Sequence, residues 1–224
     1  MLESLARALQ LDEAEQAHLF DLARAASSSR KPQRRRATSQ PVRPGVQLML
    51  DAVTNAPAFV RNGRLDILAA NQLCYALYSE MYVSPVRPAN HARFIFLDRR
   101  SYDFFPDWER AANDTVAILR TEAGRDPYDR SLTDLVGELS TRSEEFRTRW
   151  AAHNVRQHYS GIKHLRHPVV GDLHLMYESL ELSADAGLSM LVYTAEPGST
   201  TEDALRLLAS WAATQDAAHP LKQG

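Results

Sequence analysis

From about Val155 onward, apolar and polar residues of this chain alternate in four runs: VRQHY, IKHLRHP, DLHLMYESL and LSMLVYTA. A period of two is the period of a strand with one buried face, and a helix does not satisfy it. Ser160-Gly161 and Val170-Gly171-Asp172 supply turn residues between the runs, so the segment predicts an antiparallel meander of four strands. Such a sheet has an apolar face that something else in the chain must cover.

The covering material lies upstream. In APAFVRNGRLDILAAN, Asn62-Gly63 sits between two apolar runs, a hairpin signal because both residues tolerate positive φ at the turn. Asn71 then stands at the N-cap of a helix with Leu73, Ala76, Leu77 and Met81 toward the core, flanked by Tyr75 and Tyr78. Trp108, Ala111, Ala112, Thr115, Val116 and Leu119 mark a second helix ending near Gly124, and Leu132, Leu135, Val136 and Leu139 a third. Thr141 with Glu144 offers a capping box for a fourth, on which Phe146, Trp150 and His153 fall at i, i+4 and i+7. A short helix at 46–53 precedes the hairpin, and a last one from about Thr201 carries Leu205, Leu208 and Ala212. Two strands, a helical insertion and four strands predict an α+β fold, an antiparallel sheet with helices packed on one face.

At 224 residues and 44% hydrophobic content, the chain can bury one substantial core. Its formal charge of -2 gives no overall basic field for nucleic acid. Cys74 is the single cysteine, which excludes an internal disulfide and a thiolate-rich zinc site and fits a reducing compartment. The start MLESLARALQLDEAEQ lacks a basic segment followed by an apolar run, and no 18-residue apolar window occurs; a cytoplasmic location is expected.

Five of the eight histidines lie between His153 and His174, which raises the question of a metal. No pair stands at i, i+4 on a helix, and His164 and His167 have opposite strand parity, so a metal site is not expected. Gly-x-Ser-x-Gly, GxGxxG and Walker patterns are absent, and enzyme activity is not expected. The aromatics of the helical middle, from Tyr75 to Trp150, serve either as plain core or as the wall of an apolar pocket.

The order FLD, DW, LV-EL, S-EF---W--H-VR, HP-VG and VYTAEPGS, within RFIFLDRRSYDFFPDW through LSMLVYTAEPGS, resembles the ligand-binding domain of MmyB-like transcription regulators. The resemblance covers about Gly45 to Leu208. It implies a PAS-like domain that accompanies an XRE-type helix-turn-helix, binds a fatty acid (myristate-like) or similar apolar molecule, and serves transcription control. LESLARALQLDEAEQAHLFDLARAA resembles only the last two helices of the XRE-type unit, without the segment of the recognition helix. The expectation is therefore weak or no DNA binding through this chain alone. The chain then divides into a helix-turn-helix remnant (1–26), a basic flexible linker (27–44) containing Arg30, Lys31, Arg34, Arg35, Arg36 and Arg43, a PAS-like domain (45–214) and a tail (215–224).

For a fatty acid the resemblance implies an apolar cavity between Tyr78, Phe94, Trp108, Trp150 and Tyr177, with donors for the carboxylate. Arg156 is the leading donor candidate, a surface or structural ion pair being its alternative. His153 is a second donor or a helix C-cap, and Asn71 a pocket residue or an ordinary N-cap. His167-Pro168 is expected to fix a strand end and turn. The competing reading is a ligand-free PAS-like module for homodimerisation or protein interaction.

Overall fold

The computed structural model describes residues 2–10, 16, 19, 20, 23, 42–152 and 160–218. These fall into two compact units, one holding residues 42–108 and 159–224, the other 1–41 and 109–158.

The first unit is built on the alternating segments. β1 (Ala58–Asn62) and β2 (Asp66–Ala70) form the expected hairpin, and β4 (Ser160–His167), β5 (Gly171–Glu181) and β6 (Leu188–Thr194) form three strands of the meander. The remaining run, VRQHY, lies outside the described residues. β1 pairs with β6, joining the two pieces; with the two-residue β3 (Ala89–Asn90) they make an antiparallel sheet of order β3-β2-β1-β6-β5-β4.

The alternation of β1 decides what lies on each side. Ala58 and Val60 point to a core with Ala69, Leu188 and Met190, covered by Val46 and Leu50 of α2 (Pro44–Ala52), a helix that follows α1 (Leu2–Ala8) of the other unit. Helices thus lie on both faces of the sheet, because β1, β2 and β6 are apolar on both. Arg43, just before α2, donates from Nε to both carboxylate oxygens of buried Asp185 in the β5–β6 connection, at 3.0 and 2.8 Å. Phe59 and Arg61 take the opposite, inner side, with Ser189, Leu191 and Tyr193 of β6, Leu173, Leu175 and Tyr177 of β5, and Gly161, Lys163 and Leu165 of β4.

Short helices follow β2: α3 (Gln72–Leu77), α4 (Ser79–Tyr82), α5 (His91–Leu97) and α6 (Arg100–Phe104). Leu73, Ala76, Leu77 and Met81 are buried as their spacing predicts. α10 (Thr200–Ala218) buries Leu205, Leu208 and Ala212 and packs against α3 and β5.

The second unit is helical. α7 (Trp108–Arg125) begins in the first unit and continues here past Gly124; Ala111, Ala112, Thr115, Val116 and Leu119 are all buried. α8 (Arg130–Arg142) is capped by Asp129 and buries Leu132, Leu135 and Leu139 against α9 (Glu144–Ala151). The cap of α9 is Ser143, which accepts from the Phe146 amide; Thr141, expected in that role, still lies inside α8 and donates to the Gly137 carbonyl.

Two turns differ from expectation. The β1–β2 connection turns over Gly63-Arg64, closed by the Leu65 amide on the Asn62 carbonyl (3.0 Å), and Leu65 rather than Asn62 or Gly63 takes positive φ (67°). Asn62 acts through its side chain, accepting from the amides of Arg64 and Asp66 at 3.0 Å each, which fixes the turn from within. A left-handed leucine is strained by about 1–2 kcal/mol, and complete burial of its side chain offsets that cost. Ser160-Gly161, expected as a turn, opens β4; Gly161 pairs with Tyr177, and a Cβ on Gly161 would stand 3.1 Å from that ring.

Candidate functional site

On the inner side of the sheet the aromatic residues meet. Tyr78, at the joint between α3 and α4, has its hydroxyl 2.7 Å from that of Tyr193 on β6, and both side chains are buried. Phe59 meets Tyr78 edge-on at 6.1 Å and Tyr193 at 6.0 Å. Phe104 lies 5.7 Å from Tyr78 and 5.7 Å from Phe94, and Tyr177 stands edge-on to Tyr193 at 6.2 Å. Tyr78, Phe94 and Tyr177, three residues singled out in the sequence, therefore belong to one continuous lattice in the first unit. Burial pushes the phenols of Tyr78 and Tyr193 well above the ordinary tyrosine range, so both are neutral donors and acceptors.

Trp108 is in the same unit but anchors a different turn. Its indole N–H points at the Ile95 carbonyl and the Ser101 hydroxyl, 3.2 Å each, and its ring stacks on Tyr102 at 4.5 Å. The FLD and DW pieces of the sequence pattern meet where the Phe96 ring stands edge-on to Trp108 at 5.9 Å. Trp150 belongs to the helical unit, where it stacks on Phe146 at 5.5 Å and lies under the Arg120 guanidinium, which also donates to the Trp150 carbonyl.

Asn71 caps α3 and does more: its Oδ1 accepts from the amides of Cys74 (2.9 Å) and Ala58 (3.1 Å), and its Nδ2 donates to the carbonyls of Val53 (2.6 Å) and Ala56 (2.7 Å). Every hydrogen-bonding position of the amide is used within the protein. His153 and Arg156 lie outside the described residues. His167 braces the β4 end as expected, with Nε2 3.0 Å from the Ala76 carbonyl and Nδ1 accepting from the Val169 amide at 3.2 Å. His164 and His174 are cross-strand partners with rings stacked at 4.2 Å. Among the described residues, no group of three His, Cys, Asp or Glu side chains is placed to hold a metal ion.

Residues 42–208 match the family model described as the MmyB-like transcription regulator ligand binding domain. The chain belongs to this family. No curated protein matches it. As an MmyB-like ligand-binding domain, the chain carries the small-molecule module of a transcription regulator. No described helix is long and apolar enough to cross a membrane.

Two polar residues of the MmyB-like domain border the lattice and were not singled out from sequence. His91, the first residue of α5, faces Tyr78 at 6.0 Å and Phe105 at 5.7 Å. Burial first, then the charges of Lys163 and Arg61, lower its pKa from 6.5 to about 3, so the ring is neutral. Arg61 shares the face of Phe59; burial lowers its pKa from the ordinary arginine value, and the phenols of Tyr193, Tyr177 and Tyr78 oppose that shift. The signal for Arg61 was present in the sequence: it stands two residues after Phe59 on an alternating strand.

Proposed function

We propose that this domain senses a long-chain fatty acid or similar apolar acid, held against the aromatic inner side of the sheet, and that occupancy modulates DNA binding by the regulator. The observation that carries this reading is the lattice of Phe59, Tyr78, Phe94, Phe104, Tyr177 and Tyr193, which joins the sheet to the joint between α3 and α4. A chain lying on these rings exchanges contacts with residues on both sides of that joint, so bound and free states differ in helix packing. The ligand shifts the equilibrium by its differential affinity for the two states, on the order of 1–3 kcal/mol in typical couplings. Catalysis has no part in this reading, and the resemblance that suggests the fatty acid also supplies the DNA-binding partner.

Thermal unfolding with a series of saturated fatty acids, decanoate to stearate, tests the proposal. A melting temperature that rises with concentration and peaks at one chain length supports it; no shift with any member of the series contradicts it.

A second reading, homodimerisation through the sheet, rests on the outer side of β4 and β5. Ile162 and Met176 are cross-strand partners there, and both are exposed, as is Leu180 further along β5. Sedimentation equilibrium with Met176→Glu tests it: a wild-type dimer that becomes a monomer supports the reading, and a wild-type monomer removes it.

A further inference from the structure

Arg61 occupies an unusual place for a cation. In register it stands between Ile67 of β2 and Ser189 of β6, so it lies inside the sheet rather than at an edge. Its side chain takes the inner side, with Phe59 two residues before it and Tyr193 on the neighbouring strand. The acid nearest in inner-side register, Glu181, pairs with Ser189 and is therefore two strands from Arg61, about 10 Å by strand spacing, and it is exposed. Asp66, on β2, is held by the amides of Asn62 and Asn90 at 2.9 and 2.8 Å. Among the described residues, Arg61 has neither a hydrogen bond nor an ion pair.

The groups that do surround it cannot neutralise it. The phenols of Tyr78 and Tyr193 are held protonated by burial, and His91 is neutral. Lys163 adds a second positive charge on the same side of the sheet, its Nζ 5.8 Å from the centroid of the Tyr177 ring. Arg61 thus carries its charge under apolar cover, where an uncompensated charge is costly.

Arg61, His91 and Lys163 also share a pattern of burial. Arg61 and His91 lie deep within the protein, yet all three residues keep an intermediate fraction of accessible surface, unlike the sealed Tyr78 and Phe104 beside them.

We propose that Arg61 is the acid-recognition residue of the ligand site, receiving the carboxylate of an amphiphilic ligand whose chain packs on the inner side of the sheet. The guanidinium offers a planar fork of N–H donors that matches a carboxylate, and the Tyr177 hydroxyl and the neutral His91 ring are its neighbours. The inference rests on the reading of the domain as a fatty-acid sensor, and it adds what that reading leaves open: which end of the ligand is recognised, and by what.

Displacement of the neutral probe N-phenylnaphthylamine by myristate and by myristyl alcohol, which differ only in the head, tests it in the wild type, Arg61→Met and Arg61→Lys. Wild type should prefer myristate by about tenfold or more, the scale of one charge-assisted hydrogen-bonded pair. Arg61→Met should abolish the preference, with its melting temperature reporting an intact fold, and Arg61→Lys should retain part of it. An unchanged preference in Arg61→Met overturns the role of Arg61 and leaves the sensor standing. Loss of both ligands at an unchanged melting temperature also overturns it, since a head-group residue leaves the chain's contacts in place. If neither compound displaces the probe from wild type, the sensor reading falls and this inference with it.

Discussion

The hydroxyls of Tyr78 and Tyr193 stand 2.7 Å apart, and this one hydrogen bond ties the α3–α4 joint to a central strand of the sheet across 115 residues of sequence. Neither hydroxyl has access to water, so deleting one orphans the other. Tyr78→Phe or Tyr193→Phe should each cost about 1–3 kcal/mol in urea unfolding. The double variant should cost clearly less than the sum of the two, because nothing is then left unpaired. Additive losses would show that the pair is not a pair in solution.

His91 gives the domain a pH dependence of stability. Its folded-state pKa, about 3, lies below the unfolded value of 6.5, so between those limits the unfolded chain binds more protons. Stability is full above pH 6.5 and falls as the pH drops, by up to about 1.4 kcal/mol per pH unit for a single group. His167, lowered by burial as well, acts in the same direction. Urea midpoints measured from pH 7.5 downward in wild type and His91→Gln should show a slope smaller by about one proton in the variant. Equal slopes would place His91 in contact with water.

The sheet was legible in sequence because its information is local. β5 alternates so regularly that the residues of each face follow from parity, and the buried helix positions Leu73, Leu77, Leu132 and Leu139 follow from the 3.6-residue period. What was hidden depends on residues far apart. Thr141 fits the capping-box pattern with Glu144, yet it still lies inside α8 and the cap of α9 is Ser143. α2 reads as one more amphipathic helix, and nothing local shows that it covers the opposite face from α3. Arg61 shares the parity of Phe59 in sequence, but only β6 with its Tyr193 shows that this side is enclosed, and His91 begins a seven-residue helix too short to show a period. His153 and Arg156, the donors expected from sequence, lie outside the described residues, and the cation that borders Tyr78 and Tyr177 among the described residues is Arg61 of β1.

Asn71 connects the chain before β1, the first residue of β1 and the start of α3 through four hydrogen bonds. Asn71→Ala should cost about 2–4 kcal/mol, an N-cap's usual contribution of about 1 kcal/mol plus the orphaned Ala58 amide and Val53 and Ala56 carbonyls. Asn71→Asp should also be destabilising, since it keeps the cap but replaces two donors with an acceptor facing two carbonyls. An Asp variant as stable as wild type in thermal unfolding would show that the two carbonyl contacts contribute nothing.

Gly161 leaves room for the Tyr177 ring across the β4–β5 pair. Gly161→Val should displace that ring and cost about 1–3 kcal/mol, as overpacking at a tight contact does, and near-ultraviolet circular dichroism should register the change in tyrosine environment. An unchanged spectrum and melting temperature would mean that the ring moves aside freely.

The central claim, that the aromatic inner side of the sheet holds a long apolar acid, is tested most directly by native mass spectrometry of the chain purified without denaturant. The account predicts an adduct with the mass of a fatty acid, lost on denaturation and replaced by added myristate. A single unadducted species, unchanged by excess myristate, would contradict it.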